Sequence, residues 1–140
     1  MRAETGVEFE VIRQTTLLEA SPEEVYEAYV DPKKHEAFTG SRATGSPKVG
    51  GRFTAWDGYI EAKYTELVKG ERIVHEWKTS EWPSGYPPSV VEIKLEKVGE
   101  KTKLTFVQSK VPAEQAEGYR QGWIDNYWVP LKKYVKKDRS

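Results

Sequence analysis

The chain contains no cysteine, and its only histidines are His35 and His75. Without cysteine there can be no disulfide bond or thiolate metal site, and a reducing intracellular compartment fits this composition. Two histidines without an H-E-x-x-H spacing cannot build a histidine-rich metal site. The sequence therefore predicts no metal and no other cofactor.

Neither sign of charge is in excess, since 22 basic and 22 acidic side chains balance. Proteins that bind nucleic acid usually need a basic surface, so no nucleic-acid partner is predicted. No apolar run approaches the roughly 20 residues that a membrane helix needs. The opening stretch "MRAETGVEFEVIRQTTLL" also lacks the continuous apolar segment of a signal peptide. These absences predict a cytoplasmic protein without a membrane partner.

The first part of the chain predicts one strand followed by two short helices. At 140 residues the chain is expected to form a single domain over residues 1–140. The segment "VEFEVIRQTTLLEA" alternates in polarity and is rich in β-branched residues, as strands are. Ser21, Pro22 and Glu24 then form a capping box with proline at the first helical position. Asp31-Pro32 repeats this signal, so a second short helix should end near Phe38.

Residues 43–110 predict successive strands separated by turns. The strand-like segments are "VGGRFTAW", "GYIEAKYTELV", "ERIVHEWKTSEW", "SVVEIKLEKV" and "TKLTFVQSKV". Turn signals such as Asp57-Gly58 and Lys69-Gly70 keep the connections short, which indicates an antiparallel meander. Residues 113–137 have helical periodicity. The order predicts an α+β domain with a curved antiparallel sheet of about six or seven strands and a long C-terminal helix packed across it.

Alternation along the strands assigns one face of the sheet to the interior. This face carries large apolar groups and four polar side chains, Tyr64, His75, Thr79 and Gln108. On the C-terminal helix an apolar stripe should oppose it, and its members are Tyr119, Trp123, Tyr127, Leu131 and Tyr134, broadened by Ile124, Trp128 and Val135. Pro130 lacks a backbone donor and should bend the helix near Asn126. A bent helix on a curved sheet is expected to pack tightly at one end and to leave a gap at the other.

A family resemblance rests on four stretches of the sequence. These are "ASPEEVYEAYVDP", "VGGRFTAWDGYIEAKYTELVKGERIVHEWKTSEWPSG", Val111-Pro112 and "GWIDNYWVPL". Together they resemble the activator-of-heat-shock-protein-ATPase homologue family, which belongs to the START and birch-pollen-allergen superfamily. The resemblance implies a helix-grip fold, often with a cavity between sheet and helix.

The resemblance leaves three hypotheses about function. The first is a noncatalytic module that binds a small hydrophobic or aromatic molecule in the cavity. The second is a co-chaperone-like interaction module, because the family's namesake stimulates the ATPase of the ninety-kilodalton heat-shock chaperone. That protein has an additional N-terminal domain for much of the chaperone contact, and this chain resembles only its C-terminal domain. The third is an enzyme similar to the polyketide cyclases and hydrolases of the superfamily.

The candidate ligand-binding residues follow from the first hypothesis, since apolar walls with a few convergent polar groups are typical of small-molecule sites. No catalytic residue is predicted, and neither a phosphate loop nor a G-x-S-x-G nucleophile motif is present. His75 can be a hydrogen-bonded core histidine beside Trp77, a ligand contact or a general acid–base, and the first interpretation is favoured. The candidate cavity residues are Tyr64, His75, Trp77, Thr79, Gln108, Trp123 and Tyr127.

Overall fold

One seven-stranded antiparallel sheet organises the part of the chain that the structure describes. The computed structural model covers the backbone of residues 8–139 and the side chains of residues 8–136. The strand order is β1–β7–β6–β5–β4–β3–β2. The strands are β1 (Phe9–Leu18), β2 (Thr44–Gly45), β3 (Arg52–Ala55), β4 (Ile60–Val68), β5 (Arg72–Thr79), β6 (Ser89–Val98) and β7 (Lys101–Pro112). Val7, the predicted start of the first strand, and the last side chains of the basic C-terminus lie outside the described residues.

Two short helices follow β1, as predicted. Helix α1 (Pro22–Val30) has the complete capping box, because the Ser21 hydroxyl accepts from the Glu24 N–H and the Glu24 carboxylate accepts from the Ser21 N–H. Helix α2 (Pro32–Thr39) is capped by the Asp31 carboxylate and ends at Gly40 in the left-handed conformation. Each cap typically contributes about 1 kcal/mol, which lets such short helices form where the sheet needs a cover.

The predicted inner and outer faces of the sheet are confirmed. On β5 the side chains of Ile73, His75, Trp77 and Thr79 are buried, while Lys78 is exposed. The same alternation holds on β4, β6 and β7. The two-residue strand β2 was not predicted, because so short a segment carries no periodic signal.

The C-terminal helical segment covers the inner face in three parts. A 3₁₀ turn (Ala113–Gln115) leads into α3 (Ala116–Trp123), which continues through a π-helical turn (Ile124–Trp128) into α4 (Val129–Arg139). The Val129 N–H donates to the Ile124 carbonyl, five residues back. Pro130 has no N–H to donate, so the irregularity lies where the sequence predicted a bend.

The π-turn changes which helix residues face the sheet. Residues four apart share a face in an α-helix, whereas a π-turn also brings residues five apart onto one face. Trp123 and Trp128 are both buried and stack with ring centroids 5.5 Å apart. Ile124, expected to broaden the apolar stripe, is instead 38% exposed, so that prediction was wrong. The π-turn therefore concentrates three large rings, including Tyr127, against the sheet.

None of the helices in the described residues combines the length and the apolar character needed to span a bilayer.

Candidate functional site

A largely apolar pocket of about 370 Å³ lies between the sheet and the C-terminal helical segment. Its walls come from the β3–β4 turn and the start of β4, from β5, and from α3 with the π-turn. The lining residues are Trp56, Tyr59, Ile60, Trp77, Tyr119, Gly122, Trp123, Asn126 and Tyr127. Six of these nine residues are Trp or Tyr, so the pocket presents flat aromatic surfaces to whatever enters it.

The β3–β4 turn places Trp56 at the pocket. Strands β3 and β4 pair through Ala55 and Ile60, which confirms the hairpin that Asp57-Gly58 predicted. Trp56 and Asp57 have φ values of 54° and 57°. A residue with a Cβ in this region costs on the order of 1 kcal/mol, so the surrounding structure must hold the turn. One such restraint is the hydrogen bond from the Asp57 N–H to the Arg42 carbonyl, at 3.0 Å.

The helical side of the pocket is opened by a residue without a side chain. Gly122 lies one turn before Asn126, and a Cβ built on Gly122 would meet only the Asn126 Nδ2, at 3.8 Å. The space beside Gly122 is therefore part of the pocket. Glycine inside a helix costs roughly 0.5–1 kcal/mol relative to alanine, so local helix stability alone would not favour it here.

Three of the seven candidate residues, Trp77, Trp123 and Tyr127, line the pocket. The other four, Tyr64, His75, Thr79 and Gln108, do not line it, although each is buried on the predicted face. Two of them, Tyr64 and His75, are packed in the protein core. Tyr64 stacks on Phe53 with ring centroids 4.8 Å apart, and His75 lies edge-on to the same Phe53 ring at 5.1 Å.

Gln108 supports the pocket from behind. Its Oε1 accepts from the Trp123 Nε1–H at 2.9 Å, and its Nε2 donates to the Ser89 hydroxyl at 2.9 Å. The Ser89 hydroxyl in turn donates to the Trp77 carbonyl at 2.7 Å. This buried chain fixes the Trp123 ring against β5 and satisfies each polar group that it contains.

Thr79 holds the outer edge of the pocket through a closed ring of hydrogen bonds. The Thr79 hydroxyl accepts from the Glu81 N–H and lies 2.7 Å from the Tyr119 hydroxyl. Tyr119 donates to Gln115 Oε1, and Gln115 Nε2 donates to the Glu81 carbonyl. The pocket wall at Tyr119 is thereby tied to the loop after β5, where Trp82 stacks on the Tyr119 ring at 6.0 Å.

The two histidines belong to a buried network beneath the pocket. His75 Nδ1 lies 2.9 Å from the Glu76 carbonyl and His35 Nδ1 lies 2.9 Å from the Tyr29 carbonyl. A carbonyl only accepts, so each Nδ1 carries a proton and each Nε2 of the neutral ring is an acceptor. His75 Nε2 then accepts from the Tyr29 hydroxyl at 2.8 Å, and His35 Nε2 accepts from the Tyr127 hydroxyl at 3.0 Å.

Burial keeps this network neutral. It lowers the pKa of His75 to about 4, and it also lowers the pKa of His35. Burial likewise raises the pKa of the Tyr29 and Tyr127 hydroxyls well above their ordinary value. Both rings of each Tyr–His pair are therefore uncharged at neutral pH, and all four ring nitrogens have hydrogen-bond partners.

Six lining residues were not among the candidates, namely Trp56, Tyr59, Ile60, Tyr119, Gly122 and Asn126. Two signals pointed to some of them. Ile60 belongs to the inward set of β4 and Tyr119 to the helical apolar stripe. Trp56 could not be placed from alternation, because it lies in a turn whose left-handed backbone determines where the ring goes.

The site has the composition of a binding pocket. No charged side chain is among its lining residues in the described part of the chain. Residues 8–139 also contain no group of three or more His, Cys, Asp or Glu side chains placed to hold a metal ion. The arrangement can surround a compact apolar molecule and stack against it.

Comparison with known proteins identifies the family of this chain. Residues 19–136 match the family described as "Activator of Hsp90 ATPase homolog 1-like protein". The chain is 34% identical over 112 residues to the human "Activator of 90 kDa heat shock protein ATPase homolog 1". This aligned segment covers 80% of this chain and 33% of the human protein. The chain is 31% identical over 109 residues to a Dictyostelium discoideum homologue of the same description, covering 77% of this chain and 28% of that protein.

A solved structure of similar sequence has the same fold. An HSP90 activator from Plasmodium falciparum superposes with a TM-score of 0.84 at 26% identity, covering 90% of this chain and 96% of that one. The helix-grip architecture expected from the sequence is thereby confirmed. The chain spans about a third of the length of the curated relatives that it matches.

Proposed function

This chain belongs to the family of Activator of Hsp90 ATPase homolog 1-like proteins, and we propose that it is a noncatalytic binding protein whose aromatic pocket receives a compact apolar molecule. The observation that carries the proposal is the pocket of about 370 Å³ with six aromatic rings among nine lining residues. Ligand sites of this size are usually apolar with few polar groups. A cytoplasmic location, expected from the sequence, is part of the same proposal.

The enzymatic hypothesis depended on His75, and the surroundings of His75 support a noncatalytic role. His75 is fully buried, does not line the pocket and has both ring nitrogens hydrogen-bonded. A general acid–base must be within hydrogen-bond reach of the reacting group, either directly or through one water. In this position His75 is a hydrogen-bonded residue of the protein core.

The proposal is tested by filling the pocket from the helix. Gly122→Leu puts a side chain into the pocket, whereas Gly118→Leu, one turn earlier on α3, puts the same side chain into open space. The probe is the neutral fluorophore 1-N-phenylnaphthylamine. We expect saturable fluorescence enhancement with the wild type and with Gly118→Leu, and loss of it with Gly122→Leu. No saturable signal from the wild type, or equal signals from both variants, would refute the pocket as a binding site.

A second candidate function is favoured by the relatives themselves. The human relative is named as an activator of a 90 kDa heat-shock protein ATPase, and the Plasmodium structure is titled an HSP90 activator. We therefore also propose that this chain contacts a chaperone of that class through its surface. Because it matches only about a third of the curated relatives, stimulation must be measured with this chain alone.

The chaperone proposal requires a direct rate measurement. The steady-state ATPase of a purified 90 kDa heat-shock protein is followed while the chain is titrated to several-fold excess. An increase that saturates supports the proposal, and Gly122→Leu should leave the increase unchanged if the contact lies outside the pocket. An unchanged rate together with no complex in analytical ultracentrifugation would exclude it.

A further inference from the structure

Asn126 is the polar member of the helix face that lines the pocket. Five lining residues of the C-terminal helical segment recur at spacings of three and four, as residues on one helix face do: Tyr119, Gly122, Trp123, Asn126 and Tyr127. A Cβ built on Gly122 would contact the Asn126 Nδ2 at 3.8 Å. The Asn126 amide therefore lies beside the space that Gly122 leaves open. Asparagine and glycine are both weaker helix formers than alanine, so helix stability does not explain either residue here.

The Asn126 amide is also accessible and has no hydrogen-bond partner among the described residues. Most other polar groups of the lining are paired: Trp123 Nε1 with Gln108, and the hydroxyls of Tyr127, Tyr119 and Tyr59 with His35, Gln115 and Glu81. The Trp56 indole hydrogen-bonds to Tyr127. The Trp77 Nε1–H has no partner but is buried. Asn126 is therefore the residue of the described lining that can offer a free polar group to a molecule in the pocket.

Exposure differs between the two ends of the pocket. Trp77 is 4% exposed, and Trp123 and Tyr127 are 3% exposed, so these rings form the buried end. Asn126 is an exposed residue and lies at the mouth. Its amide supplies two donors and one acceptor there. None of the nine lining residues is charged, so an ionised group would find no opposite charge in the pocket wall.

We propose that the pocket binds compact amphipathic molecules, with an apolar ring against the buried aromatic end and one uncharged hydrogen-bonding group held by the Asn126 amide at the mouth. The inference rests on the proposed binding function and specifies the ligand class and the orientation of the ligand in the same pocket. An apolar body alone can enter either way round. A polar group that entered first would lose its hydration among rings without gaining a partner, which is unfavourable. Asn126 is thus the residue that determines specificity and orientation.

A matched pair of ligands and a matched pair of variants test the role of Asn126. Naphthalene and 2-naphthol share one ring system and differ by a hydroxyl group that is uncharged at neutral pH. Their dissociation constants are measured by NMR titration of the wild type and of Asn126→Leu, in which leucine keeps the branched shape of asparagine but cannot hydrogen-bond. We expect Asn126→Leu to weaken 2-naphthol relative to naphthalene about fivefold, which corresponds to a net hydrogen bond of about 1 kcal/mol.

The control variant is Gln121→Leu. Gln121 is exposed on the same helical segment and does not line the pocket, so its replacement should leave the ratio of the two dissociation constants unchanged. Comparing ratios removes the effect of any general change in the apolar character of the pocket, because both ligands experience it.

The orientation of the ligand is measured on the wild-type protein. Asn126 is the only asparagine of the sequence, so asparagine labelled with ¹⁵N in its side-chain amide gives a single assigned pair of amide proton signals. Nuclear Overhauser contacts from these protons should reach the 2-naphthol protons beside the hydroxyl group and not those of the far ring.

The possible results separate this inference from the binding function. If the ligands bind but their ratio is the same in the wild type and in Asn126→Leu, the role of Asn126 is overturned while the binding function stands. The same holds if bound 2-naphthol shows contacts from Asn126 to its far ring, or none to the protons beside its hydroxyl group. If neither ligand binds the wild type, the binding function fails and this inference fails with it.

Discussion

Replacing His75 should make the stability of the protein less sensitive to acid. The ring is completely buried among Tyr29, Phe53 and Tyr64, and burial holds its pKa at about 4 instead of the ordinary 6.5. The unfolded chain, with its histidine in water, takes up a proton at the ordinary pKa. The neutral ring therefore contributes its full stability above about pH 6.5, and this contribution is lost as the pH falls towards about 4.

The size of the effect follows from the two pKa values. The interval between 6.5 and about 4 corresponds to about 3 kcal/mol once the pH lies below both. At about pH 5 roughly 2 kcal/mol of it should already be lost. Such a loss is large against the roughly 5–15 kcal/mol by which domains are usually stable.

The assay compares the wild type with His75→Gln by urea denaturation between about pH 7.5 and about pH 5. The Gln side chain can still hydrogen-bond to Tyr29, and it does not titrate. The variant should be less stable at neutral pH because Gln fills the space of the imidazole ring poorly. The difference between the two proteins should then shrink by about 2 kcal/mol at the acid end. The carboxylates titrate in both proteins and cancel in this difference. A difference that does not change with pH would show that His75 is not held neutral by burial.

Two further predictions concern the helix and its support. Gly118→Ala and Gly122→Ala should each raise the free energy of unfolding by about 0.5–1 kcal/mol, because alanine favours the helix and neither added Cβ meets a close contact. A lower melting temperature of either variant in thermal denaturation would contradict this prediction. Gln108→Leu should lower the free energy of unfolding by about 1–3 kcal/mol because the Trp123 Nε1–H loses its acceptor. The control Gln121→Leu, on the exposed side of α3, should change the free energy of unfolding by less than about 0.5 kcal/mol. Equal effects of the two glutamine changes in urea denaturation would rule out the buried hydrogen bond as the cause.

The strands and the helix caps were predictable because their signals are local. Alternation on β5 depends only on the pleat, and the capping box depends on residues three apart. An irregularity of the helix just before Pro130 was predictable for the same reason, since proline lacks a donor wherever it stands. Its form as a π-turn was not predicted, because a missing N–H does not specify which hydrogen-bond pattern replaces the regular one.

The pocket was only partly predictable because alternation assigns a face of the sheet but not a position along it. Tyr64 and His75 were expected to face inward and do so. Whether an inward residue fills the core or lines a cavity depends on what lies opposite. Phe53 and the Tyr29 ring from α1 cover these two residues, whereas Trp77 lies under the segment of α3 that contains Gly122.

The pairing of β1 has a consequence for how the chain is made. Each of the strands β2 to β6 pairs with the next strand along the chain, so this meander can grow as residues leave the ribosome. Among the described strands, β1 pairs only with β7, and Thr16 is opposite Leu104 in that pairing. The Gln14 amide then joins β1 to the Arg120 carbonyl and the Trp128 indole of the C-terminal helical segment. Strand β1, which is synthesised before the other six strands of the sheet, must therefore wait for β7 to emerge before it can pair, and its docking is expected to be among the last steps in forming this sheet.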